Sequence, residues 1–343
     1  MTAVGKQRHV AALEGKQRDV ASPSSRGERL AALVQRRGSV VVLALVLLGA
    51  MFAFDSFATV DNARNIAIQS SFLAIVALGM TFVILSGGID LSVGSVYALG
   101  GVLAAYGIQW GSVVGLLLPL LVCGGIGLLN GFLVAYGRLA PFIVTLATLL
   151  GARGLLLAIT DEGANTRLMP RDALLTRLGQ GSLFGLGYPV WITIGLFGAG
   201  VLVLQRTRFG HSVFAIGGSR EAAQLMGLPV ARRTMWLYVG SGALAGLAGT
   251  LAAAYSGSGV TIVGVGLELD AIAAVVIGGT LLTGGAGTVG GTLVGVLLLR
   301  VIQNVINQIG TLSSHYQSVV SGAFLAIVVA VQAYLAKQGG LRR

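Results

Sequence analysis

A chain of 343 residues that is 55% hydrophobic and only 10% charged, with 53 glycines and a single cysteine, is not an ordinary soluble domain, which carries about 25% charged residues. The formal charge of +11 would point to nucleic acid only if the basic residues gathered on an ordered polar face. Most of them flank apolar runs instead, so no nucleic acid is expected as a partner, and the lone Cys123 leaves neither a disulfide framework nor a thiolate metal site.

Residues 1–38 form a polar, basic head in which Gly5-Lys6-Gln7-Arg8 recurs as Gly15-Lys16-Gln17-Arg18. Its composition predicts a mostly disordered cytoplasmic tail, and its length before the first apolar run favours an uncleaved first helix over a secretory signal. Ten apolar runs follow within residues 39–335: Ser39–Phe57, Ile66–Gly87, Leu91–Ile108, Ser112–Tyr136, Phe142–Thr160, Pro189–Gln205, Thr234–Tyr255, Leu269–Leu282, Val289–Ile309 and Ser318–Leu335. At about 20 residues per spanning helix most are long enough to cross a bilayer, and the run from Leu269 is short enough for a half-helix. Residues 336–343 make a short basic cytoplasmic tail. Alternation puts the head, Arg138, the segment Arg206–Arg233 and the tail on one side, against only Arg64, Arg167, Arg171 and Arg177 on the other. Such an imbalance places both termini in the cytoplasm and the polar segment Asp161–Tyr188 outside.

Between the second and third runs lies Leu85-Ser86-Gly87-Gly88-Ile89-Asp90-Leu91-Ser92-Val93-Gly94-Ser95. A carboxylate at membrane depth costs roughly 2.5–3.5 kcal/mol on insertion scales and usually faces a bundle interior or watery path. Gly87, Gly88 and Gly94 free the backbone around Asp90 and Ser92 to leave the helix, which is tolerated there only inside protein or beside water. A short polar turn in which Asp90 caps the next helix is the plainer alternative, and the two readings are compatible.

The segment Arg206–Arg233 holds a small helix of its own. Ser219 is placed to cap it, Glu221 favours its positive start, Ala222, Ala223, Leu225 and Met226 propagate it, and Gly227 with Pro229 ends it. From the residues alone it is either a handle for a partner or an interfacial helix resting on lipid headgroups. On the ninth run Arg300, Gln303, Asn304, Asn307 and Gln308 share one helical face. Amides there suit sugar hydroxyls or glue between helices equally. Asn130, Gln69, Ser70 and Ser71 are weaker candidates of the same kind. Arg153 and Arg300 are available to neutralise Asp90, Glu268 or Asp270, and Gly242-x-x-x-Gly246 and Gly291-x-x-x-Gly295 suit close helix packing. His9, His211 and His315 have neither metal-ligand spacing nor a companion nucleophile. The Gly-rich stretch Gly285–Thr292 lacks the lysine of a phosphate loop and any later acidic residue to hold a ribose, so no enzyme, cofactor or nucleotide site is expected.

Three blocks together carry a resemblance: Gly79–Ser95, Gly217–Gly227 with its Glu-Ala-Ala core, and Leu267–Thr280 followed by Gly284–Gly287. They resemble the permease subunits of ribose-type, binding-protein-dependent ABC importers, over about Asn62 to Tyr334. The resemblance implies an all-α polytopic protein of about ten transmembrane helices in two inverted-topology halves, in a bacterial cytoplasmic (inner) membrane. It implies as partners an ABC ATPase subunit inside, an extracytoplasmic sugar-binding protein outside, and a second permease copy or homologue, with a monosaccharide or polyol as substrate. By the same resemblance Gly217, Gly218, Arg220, Glu221, Ala222, Ala223, Leu225 and Gly227 form the ATPase-coupling helix. Gly87, Gly88, Asp90, Ser92, Gly94, Glu268, Asp270, Arg300, Gln303, Asn304 and Asn307 are then candidates for the translocation pathway or its helix breaks. An ion-coupled sugar carrier would use the same midplane carboxylates and breaks, and a non-transporting scaffold would need no polar faces.

Overall fold

Apolar runs of this length must satisfy their own backbone groups. In the computed structural model, which describes residues 26–309 and six positions between 316 and 330, they do so as helices. In chain order these are α1 (Arg26–Ala53), α2 (Val60–Leu85), α3 (Val93–Gly107), a 3-10 turn (Ile108–Trp110), α4 (Ser112–Ala135), α5 (Pro141–Ile159) and α6 (Leu174–Gln180). A hairpin of β1 (Ser182–Leu183) and β2 (Leu186–Gly187) precedes α7 (Tyr188–Arg206), α8 (Arg208–Gly218), α9 (Arg220–Leu225), α10 (Val230–Ser256), α11 (Leu267–Ile277) and α12 (Val289–Ile309). The chain is thus an all-α polytopic protein.

Among the described residues six helices, α2, α4, α5, α7, α10 and α12, are long and apolar enough to cross a membrane. The third and eighth apolar runs fold as α3, of 15 residues, and α11, of 11. At 1.5 Å per residue both fall short of the roughly 30 Å hydrocarbon thickness. The tenth run lies outside the fully described residues, as do residues 1–25.

Two expectations need adjusting. α1 begins at Arg26, well before Ser39, because Glu28, Leu30, Ala31, Ala32 and Leu33 are good helix formers that continue the apolar helix outward. The segment Asp161–Tyr188, read as plain polar loop, contains α6 and the small hairpin, whose turn residues Phe184 and Gly185 both have positive φ, the backbone of a two-residue I′ turn.

α10 is the hub. It packs on α4, α3 and α2, and the close approach is made by missing side chains. A methyl on Gly242 would lie 3.2 Å from Gly127 Cα on α4, and one on Gly100 of α3 would lie 2.7 Å from Gly246 Cα. Gly291 and Gly295 of α12 sit in the same way against Gly278 and Ala274 at the α11 end. Both small-residue pairs therefore bring backbones together, with dispersion contacts in place of a hydrophobic drive.

Candidate functional site

The first break follows α2. Gly87 turns with φ +80°, the chain runs without helix through Gly88–Asp90, and α3 starts at Val93. Asp90 is fully buried. Its Oδ1 accepts from Ser92 N at 3.1 Å and Ser92 Oγ at 2.6 Å, and its Oδ2 accepts from Ser241 Oγ of α10 at 2.8 Å. Asn130 Nδ2 of α4 donates to Ser92 Oγ at 3.0 Å, and Tyr238 Oη donates to Ile89 O at 3.2 Å. Asp90 thus closes the turn before α3 and ties it to α10, while the cap position of α3 is Ser92, which makes no side-chain cap bond. Hydroxyls and an amide N–H surround it, so neither Arg153 nor Arg300 is its partner. A buried carboxylate needs such donors, because one left bare loses its hydration without compensation.

The second break follows α10. Gly257, Gly264 and Gly266 have φ of +75°, +80° and +78°, conformations that side chains with a Cβ rarely adopt. The intervening backbone is not helical, so its carbonyls need outside donors. Arg153 of α5 supplies them, with Nη1 donating to Thr261 O at 2.8 Å and Nη2 to Val263 O at 3.3 Å. This cation therefore clamps a broken backbone. The breaks meet: a methyl on Gly94 would lie 2.5 Å from Gly264 O and would overlap the Glu268 carboxylate.

On α12 the polar face divides. Arg300 Nη1 donates to Gln303 Oε1 at 2.8 Å, and Gln303 Nε2 donates to Asp270 Oδ2 at 3.2 Å, so an amide relays the arginine to the carboxylate of α11. Asn304 and Asn62 exchange hydrogen bonds of 2.8 and 3.2 Å, and Ser56 Oγ donates to Gln308 Oε1 at 2.5 Å. Between α2 and α12 a cavity of about 200 Å³ is lined by Asn65, Gln69, Arg300, Gln303, Asn304 and Asn307, with Ile66 as its apolar wall. Gln69 also lines a second cavity of about 250 Å³ that includes Phe72, Tyr97, Tyr255 and Ser256. Ser71 turns away from both, donating to Ile68 O at 2.6 Å while its carbonyl accepts from Thr193 Oγ1 of α7.

At the arginine-rich end Ser219 Oγ accepts from Ala222 N at 3.2 Å, capping α9 as its sequence predicts, and Gly227 ends the turn with φ +78°. Ala223, grouped with Ala222 as a contact for a partner, is fully buried against Ile216 and Val230. It holds α9 onto the protein because it falls on the face that α8 and α10 cover. The exposed side chains are Arg220, Glu221, Ala222, Gln224, Leu225 and Met226, the last two 90% and 68% accessible. α8 itself lies on a junction: Gly285 N donates to Leu85 O at 2.9 Å, and a methyl on Gly217 would lie 2.5 Å from Gly285 N and overlap the Leu85 carbonyl. Sequence reasoning missed Ser241, Tyr238 and Leu85. Ser241, a hydroxyl between Gly240 and Gly242 inside an apolar run, carried a readable signal; the others, being common apolar and aromatic residues of such a run, carried none.

Residues 62–329 match the model of the family described as the branched-chain amino acid transport system / permease component. The ribose import permease protein RbsC of Haemophilus influenzae is 38% identical over 306 residues, covering 88% of this chain and 94% of that protein. The L-arabinose ABC transporter permease protein AraH of Azospirillum brasilense is 35% identical, covering 89% and 90%, and the fructose import permease protein FruG of Bifidobacterium longum is 32% identical, covering 90% and 93%. No solved structure matches the chain. These are transport permeases rather than enzymes, and with its multi-pass helices and the paired breaks the chain belongs to the ribose-type ABC permease family.

Proposed function

We propose that this chain forms the translocation path of a binding-protein-dependent importer for a monosaccharide or polyol. The observation that carries the substrate class is the cavity between α2 and α12, where Asn65, Gln69, Gln303, Asn304 and Asn307 converge beside Arg300. Amides offer both donors and acceptors to vicinal hydroxyls, for which a branched apolar side chain has no counterpart. The family description speaks of branched-chain amino acids, but this polar lining and the sugar-named relatives favour a hydroxylated solute.

In this reading the arginine-rich end faces the cytoplasm of a bacterial inner membrane, with both termini on that side. An ABC ATPase meets α9 there, an extracytoplasmic binding protein delivers the sugar at the Leu174 end, and a second permease copy or homologue completes the pore. About ten helices form two halves of inverted topology, α2–α3 corresponding to α10–α11: each is a long helix, a glycine break and a short helix, and the breaks enter from opposite ends. The Gly217–Leu85–Gly285 junction supports transmission from α9, since a push on α8 bears on the end of α2 and the loop before α12 together.

The test is uptake by liposomes holding the permease, its ATPase and its binding protein. Sugar uptake driven by ATP, silent under an imposed proton or sodium gradient and lost in Gln69→Leu, is the expected result. Gradient-driven uptake without ATP would overturn the reading.

A further inference from the structure

A second polar cleft lies away from the transport path, where α8 and α10 both begin. It measures about 300 Å³ and is lined by Phe209, Pro229, Arg232, Arg233 and Trp236. The Arg233 guanidinium lies over the Phe209 ring, 5.3 Å from its centroid, a cation–π contact that restrains it. Its Nε is buried with no hydrogen-bond partner among the described residues. No acidic side chain lines the cleft, and from Arg206 to Arg233 five arginines stand against the single Glu221. The N-terminal end of α10 adds positive potential. Trp236, half exposed at the rim, has the amphipathic shape that settles at headgroup level.

We propose that this cleft binds an anionic phosphate group, of the kind carried by an acidic phospholipid headgroup. Two guanidinium groups, one of them restrained over an aromatic ring, suit a phosphodiester, which can accept paired N–H donors. The exposed Arg232 and the half-buried Arg233 both border the cleft, so an anion there meets two guanidinium groups. Basic pockets between transmembrane helices on the cytoplasmic side take lipid headgroups by the same chemistry. The proposal is independent of which solute the permease carries.

The experiment is native mass spectrometry of the full-length permease released from detergent, titrated separately with phosphatidylglycerol, phosphatidylethanolamine and inorganic phosphate. Retention of phosphatidylglycerol that weakens at least tenfold in Arg232→Gln/Arg233→Gln is expected, while Arg138→Gln and the weak phosphatidylethanolamine adducts are unaffected. Saturable binding of inorganic phosphate, lost in the same double variant, would keep the phosphate site and assign it to a free anion. Should the double variant fail to fold, Arg233→Lys keeps the charge but not the flat fork, and it is expected to weaken retention several-fold. Equal retention by wild type and by a folded double or Arg233→Lys variant, or an equal loss in Arg138→Gln, would overturn the proposal.

Discussion

Asp90 and Ser241, 151 positions apart in the chain, share a buried hydrogen bond of 2.8 Å that fastens the turn before α3 to the middle of α10. Hydrogen bonds to charged groups contribute about 1.5–3 kcal/mol each. Ser241→Ala is therefore expected to lower thermal stability by an amount in that range, measured by unfolding in detergent. Asp90→Ala strands the donors of Ser92 and Ser241 and should cost more. Asp90→Asn, which keeps size and most hydrogen bonding, should retain part of the ATP-driven uptake, as an anchoring carboxylate would and a proton carrier would not. Complete loss of uptake in a well-folded Asp90→Asn protein would contradict the anchor role.

Gly94 is the point where the two breaks touch. The Glu268 side chain can swing away from a methyl there, but Gly264 O, 2.5 Å from it, is backbone and cannot, so the two breaks must part. Gly94→Ala is expected to abolish uptake while membrane insertion persists. Gly266→Ala is the contrasting case: nothing lies within 4 Å of its methyl, and only its φ of +78° opposes the change, at a cost of about 1–2 kcal/mol. Uptake should fall modestly there. Equal effects of the two substitutions would refute the contact argument.

Gly217 and Gly218 are adjacent and opposite in consequence. Gly217→Ala pushes into the Leu85–Gly285 hydrogen bond, whereas a methyl on Gly218 meets nothing within 4 Å. With ATPase and binding protein present, Gly217→Ala is expected to leave basal ATP hydrolysis intact and remove its coupling to uptake. Gly218→Ala should behave as wild type. The measurement is the ratio of sugar transported to ATP hydrolysed.

The outward face of α9 is expected to be a docking surface, because Leu225 and Met226 expose apolar side chains at the arginine-rich end. Leu225→Asp should weaken co-purification of the ATPase and suppress sugar-stimulated hydrolysis, with permease stability unchanged. Ala223→Trp should act differently. It overfills the buried contact with Ile216 and Val230, at a cost of about 1–3 kcal/mol, and lowers the yield of folded permease. If Ala223→Trp uncoupled without destabilising, Ala223 would have to face the partner.

Much of this protein was determined locally. Apolar runs must become helices in lipid, so the existence and order of the long apolar helices were legible, as was the cap at Ser219 and the stop at Gly227, whereas α6 and α8 were not. The glycines around Asp90 announced a break because only glycine adopts the backbone that a tight re-entry needs. Tertiary structure decided which groups meet across the chain. Asp90, Glu268 and Asp270 were equally plausible partners for Arg153 and Arg300, because a charge can be answered by any donor that the fold brings near. In the event Ser92 and Ser241 answer Asp90, Gln303 stands between Arg300 and Asp270, and Arg153 serves backbone carbonyls instead. The inward turn of Ala223 was equally hidden, since a six-residue helix is too short for periodicity to reveal which face the neighbouring helices will cover.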